Sequence, residues 1–228
     1  MSADADVAAA ASLLADPTRA AFLLSLSEVD GLPATELASR ARVPASTASG
    51  HLAKLVGAGL VVVERQGRHR YFRLADPAVA RALEALTVIA PERPAGSLRE
   101  ATVGEAVREA RTCYDHLAGR LGVAVADALV RDGVLQARDG NYVVADRSTL
   151  DSLGIDVDEL ARGRRLLARP CLDWSERRYH VAGALGAALA GRLLELGWIE
   201  RLPGSRAVRV TSAGRAALAR DLAVDWPR

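Results

Sequence analysis

The sequence predicts a mainly α-helical chain with small β-hairpins, which is an α+β fold. Segments with apolar residues at helical spacing recur along the 228 residues, and glycine or proline breaks separate them. Brief valine-rich runs that flank tight turns indicate the hairpins. Aromatic residues make up only 4% of the chain, so alanine, valine and leucine must build its cores. A chain of this length is expected to hold two domains.

Two helices are predicted near the N-terminus. Residues 6–15 are rich in alanine and favour a helix. Asp16-Pro17 then begins a second helix over residues 18–28, because aspartate accepts hydrogen bonds from the free amides of a first turn and proline is tolerated there. A third helix is predicted to open at residues 33–36.

Residues 35–61, TELASRARVPASTASGHLAKLVGAGLV, contain two short helix patterns separated by a break at Pro44. In the second pattern Leu52, Leu55 and Val56 form an apolar side. The opposite side is short, polar and nearly free of acid, which suits a helix in the major groove of DNA, where hydroxyls bond phosphates. The residues expected to face DNA are Ser46, Thr47, Ser49, Gly50, His51 and Lys54.

A basic hairpin is predicted to follow, with the sequence VVERQGRHRYFRL. Residues 40–73 hold seven arginines and lysines against one acid, Glu64, although the whole chain has a net charge of only +2. Such a local excess favours phosphate binding, because each neutralised phosphate releases counterions. The alternative is a solvated basic face on an ordinary hairpin. The hairpin residues expected to contact DNA are Arg65, Arg68, His69, Arg70 and Tyr71.

These motifs resemble the winged helix-turn-helix domain of the ArsR/SmtB family of bacterial transcriptional regulators. The resemblance covers residues 6–90 and rests on LADPTRAAFLLSL (14–26), the 35–61 segment above and VVERQGRHRYFRLADPAVARALEAL (62–86). It implies that Ser46 to Lys54 form the recognition helix and that Arg65 to Tyr71 form the wing tip.

The resemblance also implies two familiar metal sites, and the sequence lacks the residues of both. The helix before the turn, PATELASRA, would need a cysteine pair and has none. The helix after the wing, DPAVARALEAL, would need Asp and His ligands at fixed spacing and offers only Asp76 and Glu84. Effector sensing is therefore expected in the C-terminal part of the chain.

The helix after the wing is predicted to run from Asp76-Pro77 to about residue 90. Its apolar stripe consists of Val79, Leu83, Leu86 and Ile89. In dimers that bind palindromic operators such a stripe pairs with its symmetry mate. We expect dimerisation through this helix or the first helix; the alternative is that the stripe packs on its own domain.

Residues 91–97, PERPAGS, hold two prolines and a glycine and are predicted to be a linker. The linker separates a DNA-binding and dimerisation domain at 1–90 from an expected effector-sensing domain at 98–228. Residues 98–135 are predicted to be helical, with a break near Gly122 at most. A hairpin is expected around Arg138-Asp139-Gly140, and residues 146–168 are expected to be mostly helical.

The C-terminal part contains an internal repeat at about 113–153 and 177–222. Alignment of residue n with residue n+64 pairs His116 with His180, Gly119 with Gly183 and Gly122 with Gly186. Each copy predicts a helix followed by a wing-like hairpin and is shorter than the 35–61 segment. We infer structural copies that do not read DNA and whose glycines allow helices to approach closely. The alternative is chance similarity in an alanine- and glycine-rich chain.

Residues that bind metals cluster in two segments of this domain, CYDH (113–116) and CLDWSERRYH (171–180). Thiolate and imidazole together favour a soft or borderline ion such as Zn(II), Cu(I) or a trivalent metalloid. Cys113 and His116 stand three apart and would share one face of a helix. The expected ligands are Cys113, His116, Cys171, Asp173 and His180.

Three alternatives stay open for these segments. The two thiols could form a reversible disulfide that acts as a redox switch. They could instead be buried small apolar groups without a ligand role. A small organic effector could also bind between the copies, in a pocket of aromatic walls and anion donors. The residues for such a pocket are Trp174, Tyr179, Tyr114, Arg177 and Arg178.

Together the patterns predict a homodimeric DNA-binding transcriptional regulator, a repressor that an effector releases from a palindromic operator. The alternatives are a ligand-free architectural DNA-binding protein and a protein-interaction module. The chain has no P-loop, G-x-G-x-x-G, G-x-S-x-G or H-E-x-x-H motif, so we do not expect an enzyme. It has no apolar run of ~20 residues and no basic signal peptide, so we expect a cytoplasmic protein that does not contact membranes.

Overall fold

The computed structural model describes residues 6–27, 29, 31–67, 69–91, 98–203 and 205–227. It confirms the α+β class, with helices and small antiparallel strand pairs. The chain forms two compact units, residues 1–84 and 85–228. Of the predicted linker at 91–97, residues 92–97 lie outside the described part of the chain.

The first unit follows the predicted order of helix, turn, helix and wing. Asp16 caps the second helix, because its side chain accepts a hydrogen bond from the Arg19 amide. The last helix of the unit continues past residue 84. The elements are α1 (Val7–Leu14), α2 (Pro17–Leu26), β1 (Leu32–Pro33), α3 (Ala34–Ala41), α4 (Ala45–Gly57), β2 (Val61–Gln66), β3 (His69–Leu74) and α5 (Pro77–Ile89).

The turn between α3 and α4 is made by Arg42, which adopts the left-handed region at a φ of 56°. The Val43 amide then donates to the Ala38 carbonyl at 3.0 Å and closes the turn. Leu52 and Leu55, on the predicted apolar side of α4, are buried in a core with Phe22. This packing holds α4 against α2 and α3 and leaves its other side exposed.

The wing is the outer part of a three-stranded antiparallel sheet with the order β1-β3-β2. Strands β2 and β3 pair from Val61 with Leu74 to Gln66 with His69. Strand β1 pairs with β3 on its other side, where Leu32 lies opposite Phe72. The base of the wing is therefore anchored by β1, whereas the residues near its turn, Arg65, Gln66, His69 and Arg70, are exposed.

The second unit has more strands than the sequence predicted. Its elements are α6 (Leu98–Glu109), β4 (Arg111–Cys113), β5 (His116–Ala118), α7 (Gly119–Arg131), β6 (Leu135–Arg138), β7 (Asn141–Val144), α8 (Ser148–Ser152), α9 (Val157–Arg162), β8 (Arg169–Leu172), β9 (Tyr179–Ala182), α10 (Ala184–Glu195), β10 (Ile199–Arg201), β11 (Val208–Val210) and α11 (Ser212–Leu222). The hairpin of β6 and β7 and the hairpin of β10 and β11 were predicted and are confirmed.

The prediction of a helix through residues 98–135 was wrong, because the hairpin of β4 and β5 interrupts it. The backbone turns sharply at Tyr114, with a φ of 59°, and at Gly119, with a φ of 73°. A Cβ on Gly119 would lie 2.6 Å from the Arg108 carbonyl oxygen, so the chain needs a glycine to re-enter a helix there. Residues 146–168 are also less helical than expected, since they form only the short helices α8 and α9.

The two segments proposed as repeat copies have the same order of elements, namely a hairpin, a helix, a second hairpin and a final helix or helical turn. The first hairpin of each copy was not predicted. The first copy runs from β4 to α8 and the second from β8 to α11. The central helices α7 and α10 bury equivalent leucines in one shared core, namely Leu121 with Leu185 and Leu129 with Leu193.

The paired helix glycines pack against hairpins, whereas the sequence suggested that they bring helices together. A Cβ on Gly122 of α7 would lie 2.6 Å from the Leu117 carbonyl oxygen and 3.5 Å from the His180 Cβ. A Cβ on Gly186 of α10 would lie 2.3 Å from the Val181 carbonyl oxygen and 3.1 Å from the His116 Cβ. Each helix therefore contacts its own hairpin and the histidine of the other copy.

Among the described residues, no single helix is long and apolar enough to cross a membrane. The pair α1 and α2 reaches that length and composition together but is bent by 90°.

Candidate nucleic-acid interface and metal centre

Helix α4 exposes the polar side that the sequence assigned to DNA. The side chains of Ser46, Thr47, Ser49 and Lys54 are exposed, and so is Gly50. Pro44 precedes the helix and offers no side-chain cap, so the first-turn amides are open to an external acceptor such as a phosphate oxygen. The helix thus combines exposed hydroxyls, a lysine and a positive dipole end on one surface.

The wing places two arginines directly opposite each other. Arg65 on β2 is the cross-strand partner of Arg70 on β3, and both side chains are exposed. Like charges in this arrangement destabilise a hairpin, so the pair is better explained by an anionic partner than by wing stability. Arg73 differs, because its Nε lies 3.4 Å from a Glu64 carboxylate oxygen. Arg68 lies outside the described residues.

Helix α4 and the wing line one open groove. Its volume is about 530 Å³, and Ser49 and Arg70 contribute to its lining from the two elements. Leu52, Val56 and Phe72 form part of its apolar floor. Two of the residues predicted to contact DNA, Ser49 and Arg70, therefore border one concave surface.

In the second unit, Cys113, His116, Cys171 and His180 form one cluster. Their ligand atoms, the two sulfurs and a nitrogen from each ring, all lie within 4.8 Å of one another. Cys113 pairs with His116 across β4 and β5, and Cys171 pairs with His180 across β8 and β9. Each repeat copy thus supplies one cysteine and one histidine from its first hairpin. The two cysteines are not joined by a disulfide in the structure.

Comparisons with known proteins agree with the helix-turn-helix architecture of the first unit. A family model described as a helix-turn-helix domain matches residues 14–64. YdfF of Bacillus subtilis (strain 168), an HTH-type transcriptional regulator, is 47% identical over 221 residues, which cover 96% of this chain and 98% of YdfF. The chain belongs to the HTH-type transcriptional regulators. It is a winged regulator of the ArsR/SmtB type, as the resemblance of residues 6–90 implied.

Shorter relatives match only part of this transcriptional regulator. CmtR of Mycobacterium tuberculosis (strain ATCC 25618 / H37Rv), also an HTH-type transcriptional regulator, is 38% identical over 98 residues, or 41% of this chain and 81% of CmtR. The NMR structure of the cadmium metal-sensor CMTR from Mycobacterium tuberculosis has 35% identity and a TM-score of 0.33, and covers 41% of this chain and 100% of that chain.

The regulator differs from the sequence-based expectation at His51. This side chain lies against α2, where its Nδ1 is 3.4 Å from an Asp16 carboxylate oxygen and its ring meets Phe22 edge-on at 6.5 Å. We therefore expect His51 to support the helix packing. Tyr71 is half-buried and lies in the part of β3 that pairs with strands on both sides, opposite Pro33 of β1 and Glu64 of β2.

Replacing His51 and Ser46 separately should distinguish packing from DNA contact. We expect His51→Ala to destabilise the first unit by about 1 kcal/mol while DNA sequence preference is unchanged. We expect Ser46→Ala to leave stability unchanged and to alter sequence preference, because its hydroxyl is exposed near the start of α4. Thermal melts and binding to a set of mutated operators measure the two effects. The opposite pattern would contradict this placement.

The histidine rings of the cluster are stacked, with centroids 5.1 Å apart and an interplanar angle of 28°. The Nδ1 of His116 lies 3.2 Å from an Asp115 carboxylate oxygen, and the Nδ1 of His180 lies 3.6 Å from an Asp173 carboxylate oxygen. The Nε2 atoms of both rings are buried and have no hydrogen-bond partner. Burying such atoms without a partner is costly, so the site favours an additional ligand at Nε2.

The charges around the cluster favour a thiolate beside an imidazolium. The hydrogen bond from the Cys113 thiol, outweighing the effect of burial and helped by both histidines, holds the pKa of Cys171 well below the ordinary thiol range. Burial alone would lower the pKa of His116, but the neighbouring Asp115 carboxylate and Cys171 sulfur raise it. Burial alone would raise the pKa of Asp115, but hydrogen bonds from His116 and Arg165 lower it to about 2.

Asp173, which the sequence suggested as a fifth ligand, lies outside the four-residue cluster. Its carboxylate accepts hydrogen bonds from Arg111 Nη2 at 2.8 Å and from the Gly119 amide at 2.7 Å. Burial would raise the pKa of Asp173, but the Arg111 charge and these hydrogen bonds hold it far below its usual range. The carboxylate is thus engaged behind His180, where it can orient the ring.

Sequence reasoning missed Arg111 and Asp115. Arg111 is wholly buried and its guanidinium lies 5.0 Å from the centre of the Trp174 ring. Nothing in the sequence marked it apart from the other arginines. Asp115 could have been noticed, because a carboxylate adjacent to a candidate histidine ligand is a common second-sphere partner.

The residues suggested for an organic effector have other contacts. Arg178 donates to Asp127 at 2.9 Å, and Arg177 donates to the Val88 carbonyl. Tyr114 and Tyr179 are exposed. These contacts give the suggested anion donors partners within the protein.

Proposed function

We propose that this regulator binds a palindromic operator as a homodimer and represses transcription until an effector binds to its C-terminal domain. The observation that carries the DNA-binding part is the pair of opposed, exposed arginines beside the exposed polar side of α4. Base edges would be read by α4, while Arg65 and Arg70 would hold the phosphate backbone.

Exposed apolar surface supports the homodimer. No residue of α1 is buried, although its sequence is VAAAASLL, and Val7 is 73% exposed. At the end of α5, Leu86 is 42% and Ile89 is 78% exposed, whereas Leu83 is buried. Burying these residues against a second copy would remove apolar surface from water. A twofold dimer would also match the symmetry of a palindromic site.

The Cys/His cluster supports an effector in the C-terminal domain. A regulator needs an element with two states that a signal can bias, and a few kcal/mol of differential binding is enough to change operator occupancy greatly. The cluster joins the two repeat copies through a small number of buried side chains. Its occupation is therefore a suitable signal for a change in the arrangement of the dimer.

A salt titration tests DNA binding. We expect the logarithm of the affinity for a duplex from the regulator's own promoter to fall steeply as salt rises from about 50 to 200 mM. Arg65→Ala and Arg70→Ala should each weaken binding to all sequences alike and reduce the slope by about 1. Fluorescence anisotropy of a labelled duplex measures both quantities.

Arg138→Ala is the matched control for the wing variants. This arginine is exposed at the end of β6, in a hairpin of the repeat that we expect not to contact DNA. The variant loses the same charge and should keep the wild-type slope. A slope near zero for the wild type would contradict DNA binding and favour a protein-interaction module. A loss at Arg138 equal to that at Arg70 would contradict the assignment of DNA contact to the wing.

A further inference from the structure

We propose that Cys113, His116, Cys171 and His180 bind one divalent ion of the zinc class, with two thiolate and two imidazole ligands. The role of this ion as the effector rests on the proposed function, whereas binding of the ion can be measured without DNA. The two repeat copies would share the ion, since neither hairpin contains four ligands by itself.

The distances in the cluster fit a tetrahedral ion. Zinc bonds of about 2.0–2.3 Å hold the ligand atoms of a tetrahedral site roughly 3.3–3.8 Å apart. The four candidate atoms already lie within 4.8 Å of one another. Side-chain shifts on the order of 1 Å would therefore complete the geometry. Such shifts are within the reach of side chains on short hairpins.

The donor set selects the class of ion. Two sulfurs and two imidazole nitrogens in a tetrahedral arrangement match zinc, and they do not match magnesium or calcium, which prefer oxygen. Cadmium and cobalt ions serve as probes of the same arrangement. A trivalent metalloid or Cu(I) is bound best by thiolates, and this cluster has only two.

The surroundings of both histidines match those of metal ligands. Each Nδ1 faces a carboxylate, Asp115 for His116 and Asp173 for His180, at 3.2 and 3.6 Å. Metal-bound histidines commonly direct one ring nitrogen to a carboxylate, which fixes the ring and leaves the other nitrogen for the metal. In His116 the Nε2 atom is buried without a hydrogen-bond partner and is the nitrogen left for the ion. In His180 both ring nitrogens are buried without a hydrogen-bond partner, and Nδ1 is the one that faces the carboxylate, which leaves Nε2 for the ion. The positions of the carboxylates thus assign Nε2 of each ring to the ion, and for His116 the lack of a partner at Nε2 supports the same choice.

The glycines of the central helices make the arrangement of the two copies possible. Gly122 and Gly186 each lie against the histidine of the other copy, because a Cβ added to either glycine would be 3.5 and 3.1 Å, respectively, from the histidine Cβ. The helices therefore hold the stacked histidine rings between them. An ion bound there would link the two hairpins and stabilise the folded domain, because the unfolded chain offers no formed site.

The first measurement uses the wild-type full chain and needs no variant. Protein purified under reducing conditions is loaded with Zn(II), freed of excess ion and assayed for metal, with the expectation of one ion per chain. The bound ion should slow alkylation of Cys113 and Cys171 at least about tenfold, and a chelator should restore the rate. Co(II) in place of zinc should give the visible absorption of a tetrahedral site with sulfur ligands. No bound zinc and an unchanged alkylation rate would overturn the site.

Variants then assign the ligands. Cys113→Ser, Cys171→Ser, His116→Gln and His180→Gln should each lower zinc affinity by at least about a hundredfold. His69→Gln is the control, because His69 is an exposed histidine of the wing. Circular dichroism identifies any variant that fails to fold, and the wild-type alkylation assay stands regardless of such failures. Unchanged affinity in all four folded variants would overturn the assignment.

The remaining outcomes separate the site from the proposed function. Binding of arsenite or Cu(I) but not zinc would overturn the ion class. A disulfide between Cys113 and Cys171 in protein that binds no zinc after reduction would favour the thiol switch and overturn the site. Operator binding measured with and without zinc tests the effector role: zinc bound without any change in operator affinity would support the site and contradict that part of the proposed function. Loss of DNA binding alone would leave the site intact.

Discussion

Arg111→Met should destabilise the C-terminal unit by about 3–5 kcal/mol, because it leaves the buried Asp173 carboxylate without its cation. Both side chains are completely buried and their ion pair measures 2.8 Å. Methionine retains much of the length of arginine, so the loss would be mainly electrostatic. Arg111 also donates to Ser175 and to the Val107 carbonyl, and these acceptors would lose a donor as well.

Urea unfolding followed by tryptophan fluorescence measures this effect selectively. All three tryptophans of the chain, Trp174, Trp198 and Trp226, belong to the C-terminal unit. Arg120→Met is the control, because Arg120 is half-exposed and its ion pair with Glu105 lies at the surface. Exposed pairs contribute at most about 1 kcal/mol, so this variant should be close to wild type. If Arg111→Met lowers the free energy of unfolding by less than about 1 kcal/mol, the buried Arg111–Asp173 pair does not have the expected importance for stability.

The first unit could be predicted from sequence because its signals are local. Asp16-Pro17 predicted the start of α2 and Pro44 predicted the start of α4, and both helices begin at these positions in the structure. The wing follows from alternating residues around a glycine turn, and its pairing needs no distant segment. His51 was harder to place, since its partner Asp16 is 35 positions away and belongs to another helix.

The Cys/His cluster was only partly predictable because its geometry depends on two hairpins that are distant in sequence. The alignment at 64 residues paired His116 with His180 but did not pair the cysteines. His116 follows Cys113 by three residues, whereas His180 follows Cys171 by nine, because the loop of the second hairpin is longer. The strand register restores the equivalence, since each cysteine lies opposite its histidine. Spacing alone therefore suggested a helix face where the chain forms a hairpin.

Asp173 shows a second limit of sequence reasoning. A carboxylate two residues from a cysteine is a reasonable ligand by type and position. Its orientation depends on Arg111, which lies 62 positions earlier and had no distinguishing signal. A buried arginine binds the carboxylate, which therefore lies 3.6 Å from His180 Nδ1 and outside the four-residue cluster. The residue types of the site could be predicted from sequence, whereas the structure was needed to tell candidate ligands from the groups that surround them.

Gly186→Ala is expected to destabilise the C-terminal unit by about 1–3 kcal/mol, and Gly191→Ala in the same helix should stabilise it by up to about 1 kcal/mol. A Cβ at residue 186 would lie 2.3 Å from the Val181 carbonyl oxygen, which is backbone and cannot rotate away. At residue 191 nothing lies within 4 Å, so only the helix propensity changes. The two variants make the same chemical change five residues apart, and the fluorescence unfolding assay compares them directly.

The displacement caused by Gly186→Ala should also reach the cluster. The added methyl group would press against the His116 Cβ, 3.1 Å away, and push the ring from its stacked position over His180. Zinc affinity should therefore fall in Gly186→Ala and stay at the wild-type level in Gly191→Ala. If both variants have the same stability and the same zinc affinity, helix α10 does not hold the histidine in place. The contact between the two copies would then be looser than the close approach of Gly122 and Gly186 to the histidines indicates.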